Sequence, residues 1–515
     1  VLLLGIDGAN PDLLLRWTED GALPTLRTLR GRGVTCRLES PPGCGDDGAW
    51  ATAYTGVSPA THGRFYYRRM QPGTYSLPSF ADGDLRHDPI WTTIGRAGKR
   101  VAVIDVPKSP LPSELNGVYL GDWLVHGRDH AVPVAFPDEF ARHTIDRFGS
   151  APESVCGFHQ PSLDAAGYSA MLERLRTSTG MKRDLCLSLL DQEPWDLFFA
   201  VFKEAHCAGH HGWHLHDASD PGHSPDLAAA VGDPLLRAYQ AIDGAIGDLV
   251  ARAGDDMTVI VFSALGMGPN NGLAGLLPDI LERLHPSHQR RVAWARRLLK
   301  PLAARLIRLA GGHTGSLLRQ AAATFGASHR TGQPAFAIEP SEHVSGIRLN
   351  LVGREASGQI EPGADADHFC AQLTRDLLEI VDPETGERLI NDVVPINQFY
   401  DGALLSHLPD LLVFWNLSRR ASSAASRKIG VVTESGPLPR TGAHMPGGLL
   451  IAAGSHLDAG LIAPPRPLED LAATVGAAMG VALPGGAGTP LPGAGHGGHT
   501  GRETDEALCQ TSTNS

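Results

Sequence analysis

Charge is scarce in this chain. Asp, Glu, Lys and Arg make up 19% of 515 residues, with 44 basic against 56 acidic side chains. A formal net charge of -12 and a pI of about 6.0 argue against a general nucleic-acid binder, while leaving room for local basic patches. No apolar run approaches the roughly 20 residues that a membrane-spanning helix needs. Cysteine is sparse and odd in number: seven residues, at positions 36, 44, 156, 186, 207, 370 and 509. None of them falls in zinc-finger or Cys-x-x-Cys spacing, so reduced thiols and a cytoplasmic chain are expected. The segment Val1–Gly8 carries neither a basic leader nor a small-residue cleavage site and reads as the start of the fold. No internal repeat is evident, and nothing fixes an oligomeric state.

Apolar residues are plentiful at 42%, alongside 60 glycines and 38 prolines that mark many loops. Buried strands are expected at Val1–Ile6, Arg100–Val106, Trp195–Phe202 and Met257–Ser263. Helices are expected near Pro11–Arg30 and from Gly48 to Tyr54, the latter closed by Thr55-Gly56. Strands alternating with helices predict a parallel sheet covered on both faces. In such sheets ligands sit beyond the carboxyl ends of the strands. Leu276–Arg330 differs in composition: Arg290, Arg291, Arg296, Arg297, Lys300, Arg305 and Arg308 alternate with leucines and Val292. It reads as a basic amphipathic cap, either a solvated face or a lid over an anionic substrate. The expected layout is a core over residues 1–275, a helical cap over 276–335, and core again over 336–480. A disordered Gly/Pro/Ser/Thr tail over 481–515 completes it.

The densest chemistry follows the strand at Trp195–Phe202. His206, His210 and His214 recur every four residues, which stacks them on one helical face. Imidazoles at i and i+4 can share one metal ion. The plainer reading is a set of surface histidines in a polar loop. Glu204, two residues earlier, is a candidate catalytic or imidazole-orienting carboxylate, or a helix cap. Lys203 is a candidate contact for a substrate anion.

Five segments carry a resemblance. They are Gly5-Ile6-Asp7-Gly8-Ala9, the run from Ala49-Trp50 through Thr55-Gly56 to His62-Gly63, and His206–His210. Ser263-Ala264-Leu265-Gly266-Met267-Gly268-Pro269-Asn270 and Gly442-Ala443-His444-Met445-Pro446-Gly447-Gly448 complete the set. In this order and spacing the chain resembles the type I phosphodiesterase/nucleotide pyrophosphatase branch of the alkaline phosphatase superfamily, from residue 1 to about 480. The resemblance implies an α/β fold, with a three-layer α/β/α core, a mostly parallel central sheet and an inserted helical cap. It also implies two metal ions, usually zinc, that activate a Ser or Thr nucleophile and neutralise phosphoryl oxygens.

By position, the first ion would be held by His206, His210 and His444, with His206 standing where the family has Asp. The second ion would take Asp7, whose alternative role is to cap the following helix. An Asp-His pair should assist Asp7, but Ala264 and Leu265 occupy those places. The nucleophile position, nine residues before Thr55, holds Asp46, or Asp47 in the neighbouring register. Asp46 is a candidate metal ligand, general base, attacking carboxylate or plain turn residue. Cys44 evokes the sulfatase cysteine but lacks its following pattern. His62 is expected to be structural, and His214 and His216 to line the mouth. The expectation is a metal-dependent hydrolase or transferase on a phosphate ester or phosphodiester. It would carry one zinc ion, and a second divalent ion is left open. The alternatives are an enzyme for a sulfate, sulfamate, phosphonate or phosphoramidate, and a non-catalytic metal- or anion-binding descendant.

Overall fold

The computed structural model describes residues 1–71, 73–124, 132–152, 163–254, 256–285, 330–338, 343–433, 440–486 and 488–495. Its main sheet contains β1 (Leu2–Ile6), β2 (Gly33–Glu39), β3 (Val101–Ile104), β4 (Gly117–Gly121), β5 (Val134–Phe136), β6 (Leu197–Phe202) and β7 (Val259–Ser263). A short β8 (Gly266–Pro269) follows outside it. Then come β9 (Ala335–Ile338), β10 (Val344–Leu349), β11 (Ile390–Pro395), β12 (Leu411–Trp415), β13 (Ser423–Ser426) and β14 (Gly430–Thr433). The last strands are β15 (Gly442–Met445), β16 (Gly448–Ala453), β17 (Leu461–Ile462) and β18 (Arg466–Pro467).

The main sheet runs β17-β2-β16-β7-β1-β6-β3-β4-β5, with β18 also pairing β2. The centre is parallel: β1 pairs with β6 (Leu2↔Phe198) and with β7 (Leu2↔Val259), and β3 pairs with β6 and β4. β16 inserts antiparallel between β7 and β2. Strand side chains alternate between two cores. Leu2, Leu4, Phe198 and Phe202 enter one, with helices Pro11–Glu19 and Pro234–Ala253. Leu3, Leu197, Phe199 and Val201 enter the other, with helices Asp46–Thr55 and Glu469–Met479. The result is the expected three-layer α/β/α arrangement.

Three expectations change. The helix expected over Pro11–Arg30 is two helices, Pro11–Glu19 and Pro24–Gly31. Pro24 starts the second, and its Thr25 and Leu26 amides donate to the buried Asp243 carboxylate at 3.0 and 2.9 Å. Residues 335–415 build a separate four-stranded antiparallel sheet, β11-β12-β10-β9, before the chain rejoins the main sheet at β16. The expected tail is packed at its start. Leu491 is buried in the second core, its amide bonded to Thr474 Oγ1 at 3.0 Å, and Thr489 N donates to Asp470. The basic cap, apart from helix Leu277–Leu284 and a few flanking residues, and the tail beyond residue 495 lie outside the described residues. No helix among the described residues is long and apolar enough to cross a membrane.

Candidate metal centre

Asp7 follows β1 at its carboxyl edge, where Gly5 and Gly8 set the local packing. A Cβ on Gly5 would come within 2.9 Å of the Trp50 ring. That close approach lets Trp50 Nε1 reach Asp7 Oδ1 at 2.8 Å. Gly8 adopts φ +63°, and a Cβ there would lie 3.0 Å from the Cβ of His206. The turn after β1 therefore sits directly on the histidine helix. Asp7 does not cap the next helix: Asn10 does, accepting from the amides of Asp12 and Leu13 at 2.8 and 2.9 Å.

Helix Glu204–His216 starts two residues after β6 and presents His206 and His210 to the same carboxyl edge. β15 supplies His444 by pairing with β8, with His444 opposite Met267. All three imidazoles are buried, and their ligand nitrogens lie within 4.8 Å of one another. His206 Nε2 and His444 Nε2 are 2.7 Å apart. His210 Nδ1 donates to the Gly442 carbonyl at 2.7 Å, because a carbonyl can only accept. That bond leaves Nε2 as the nitrogen of His210 with a lone pair. Among the described residues this is the single grouping of three or more His, Cys, Asp or Glu side chains able to share an ion. The donor set fits zinc. Three buried imidazoles whose ligand nitrogens lie within 4.8 Å of one another are a donor set of the kind zinc accepts.

The carboxylates divide. Asp46 opens helix Asp46–Thr55, half-buried, within electrostatic reach of His444 and Lys108. Burial and the adjacent Asp47 charge push its carboxyl upward. Burial likewise raises Asp7 to about 7, against the Trp50 bond and the His444 and Lys108 charges. Asp47 turns away. Burial would raise it, but Lys108 and Arg64 outweigh that and hold it low. Its Oδ1 accepts from Arg64 Nη2 at 2.7 Å and from Arg64 Nε at 3.2 Å. Asp7 and Asp46 assemble no second group of three ligands among the described residues, and Ala264 and Leu265 are buried in the apolar core.

Other candidates fall elsewhere. Glu204 is fully buried, and its Oε1 takes a hydrogen bond from Ser178 Oγ at 2.6 Å on the long helix Ala165–Gln192. Cys44 packs under Tyr400 and Phe65, and burial drives its thiol well above the ordinary range. His214 stands against Tyr168, while His216 pairs with Asp233 at 2.6 Å; neither joins the cluster. His62 is structural, as expected: Nδ1 accepts from the Arg64 amide at 3.0 Å and Nε2 faces Thr52 Oγ1 at 3.0 Å. Lys203 is half-buried at the start of the histidine helix. Sequence reasoning missed Trp50, Arg64 and Arg440. Trp50 lies one helical turn after Asp46, Arg64 two residues after His62, and Arg440 four residues before His444. Proximity in sequence to the site residues was the one available signal.

A family model described as type I phosphodiesterase / nucleotide pyrophosphatase matches residues 1–428. Among solved structures, phosphonoacetate hydrolase from Sinorhizobium meliloti 1021 in complex with phosphonoformate is similar in fold. Its TM-score is 0.52 at 14% identity, covering 92% of this chain and 94% of that one. The same hydrolase in complex with phosphonoacetate gives the same values. Murine ectonucleotide pyrophosphatase / phosphodiesterase 5 aligns with a TM-score of 0.49 at 12% identity, over 95% and 97% of the two chains. No curated protein matches the chain in sequence.

Proposed function

The chain belongs to the type I phosphodiesterase / nucleotide pyrophosphatase family, and from that premise we propose a metal-dependent hydrolase or transferase acting on a phosphate ester or phosphodiester. The observation that carries the proposal is the buried gathering of His206, His210 and His444 at the carboxyl edge of the sheet. These three side chains would hold one zinc ion. Bound there, zinc supplies Lewis-acid polarisation of a phosphoryl oxygen.

The remaining steps belong to the chain's own groups. Gly442 O fixes the His210 tautomer. Asp46 stands at a helix N-terminus in the position the resemblance gives to the nucleophile, and burial with the Asp47 charge raises its pKa above the usual carboxylate range, which favours a role in moving a proton. Trp50 orients Asp7 at the same edge, and Asp7 would be a ligand if a second ion bound. Asp47 is tied to Arg64 and serves to anchor the helix that presents Asp46. The five described cysteines are free thiols, which supports the cytoplasmic placement.

A second reading is a phosphonate or another tetrahedral anion as substrate. The observation favouring it is the apolar Ala264-Leu265 pair, because an altered second site suits an altered reaction. Turnover of nitrophenyl phosphate, bis-nitrophenyl phosphate, nitrophenyl sulfate and a phosphonate, measured with zinc and with chelator, tests both. The proposal expects zinc-dependent turnover of a phosphate ester. Turnover of sulfate or phosphonate alone would select the second reading, and bound metal without any turnover would indicate a binding protein.

A further inference from the structure

Three carboxylates stand at the carboxyl edge of the main sheet: Asp7 after β1, and Asp46 and Asp47 at the start of helix Asp46–Thr55. Asp47 is bonded to Arg64. The Lys108 ammonium acts on all three and favours the ionised form of each. Its Nζ lies 4.0 Å from Asp47 Oδ1, and its side chain is 14% exposed. An ammonium so far out of water is tolerated where carboxylates surround it.

The backbone delivers the charge to this place. Lys108 follows the end of β3 by four residues and adopts φ +57°, a left-handed conformation that side chains other than glycine rarely enter. Its carbonyl accepts from Tyr54 Oη at 2.8 Å and from Arg64 Nη1 at 2.9 Å. Tyr54 lies on the helix that opens with Asp46 and Asp47, and Arg64 is the partner of Asp47. One set of contacts therefore fixes the cation relative to the carboxylates, and holds a backbone conformation that costs energy.

We propose that the Lys108 ammonium stands in for the second metal ion, as a positioning residue that balances Asp7 and Asp46 with one fixed positive charge and keeps a second divalent ion out. The inference deepens the one-ion reading proposed above and rests on it. Two-ion chemistry needs an Asp-His pair where buried Ala264 and Leu265 stand, so the chain does not fit a second ion. Asp7 and Asp46 nevertheless remain at the edge. An ammonium meets their charge without a coordination shell, through a compact point charge on a flexible stem. A divalent ion approaching the same carboxylates meets a like charge at close range.

The test is calorimetric binding of manganese to the zinc-loaded full chain, with zinc content measured on the same samples. Manganese is the probe because it suits carboxylate oxygens. Wild type should take up no manganese beside zinc. Lys108→Met and Lys108→Gln should each bind one manganese ion per chain, at least about a hundredfold more tightly than wild type, the scale of one like charge removed at close range. Lys108→Arg keeps the charge and should exclude manganese as wild type does. Adding Asp7→Asn to Lys108→Met should abolish the gain. A lysine with a merely structural role would lower stability without opening an ion site. The proposal is overturned if wild type binds manganese beside zinc, if folded Lys108→Met or Lys108→Gln binds it no better than wild type, or if Lys108→Arg gains it equally. The wild-type arm decides even where a neutral variant fails to fold. Wild type that retains no zinc would overturn the three-histidine site, while the manganese comparison, which reads Asp7 rather than the histidines, still decides the role of Lys108.

Discussion

His206 Nε2 and His444 Nε2 lie 2.7 Å apart, although 238 residues separate them in the chain. At that distance one ring donates its Nε2–H and the other accepts, so an ion that takes both nitrogens displaces that proton. An ion that binds there ties helix Glu204–His216 to β15 and stabilises the folded chain by mass action. Zinc at a hundred times its dissociation constant should stabilise chelator-treated protein by about 2.7 kcal/mol. Chemical denaturation with and without zinc reads this directly, and His444→Gln should erase the difference.

Glu204 is two residues from His206 but is engaged with Ser178. Glu204→Ala should therefore cost about 1–3 kcal/mol of stability, the usual scale for breaking a buried hydrogen bond. Its zinc content should match wild type. A loss of zinc in a folded Glu204→Ala protein would place the carboxylate in the metal site after all.

The Arg64–Asp47 ion pair is buried on both sides, with side chains 4% and 6% exposed. Removing one partner leaves a buried charge without its nearest counter-charge, so Arg64→Gln or Asp47→Asn should each destabilise by up to about 3–5 kcal/mol, with Lys108 offsetting part of the loss for Asp47. The double variant should cost less than the sum, as urea unfolding of the four proteins will show. Since Asp47 neighbours Asp46 on the same helix, each single variant should also lower turnover.

Burial, then the Arg64 and His87 charges, depress His62 to about 3 from 6.5. Between those values the unfolded chain binds a proton that the folded chain refuses. The stability contributed by neutral His62 is complete above pH 6.5 and drains away as the pH falls toward 3. Its slope approaches about 1.4 kcal/mol per pH unit in that window. Unfolding free energies of wild type and His62→Gln from pH 7 to pH 4 should converge on acidification. Parallel curves would contradict the assignment.

Local pattern made part of this structure legible. Apolar runs marked β1, β3, β6 and β7, and the four-residue spacing put His206 and His210 on one helical face, because both signals are written in neighbouring residues. The rotation of that helix was not legible. It sends Glu204 toward Ser178 and His214 toward Tyr168, and is set by packing against helix Ala165–Gln192. Sequence spacing favours Asp46 with Asp47 one register away, and the Arg64 and Lys108 contacts of Asp47 distinguish the two in space. Leu491 shows the same limit from the other side: composition suggests disorder, but two buried side chains, Leu491 and Ala494, and two amide bonds fasten that segment. The independent sheet of residues 335–415 depends on pairings such as Val344↔Phe414, which no short-range periodicity encodes.

Elemental analysis of protein purified without chelator tests the three-histidine site most directly. Wild type should carry one zinc ion per chain, and His206→Ala should carry none. Two ions in wild type, or an unchanged content in folded His206→Ala, would contradict a single ion held by His206, His210 and His444.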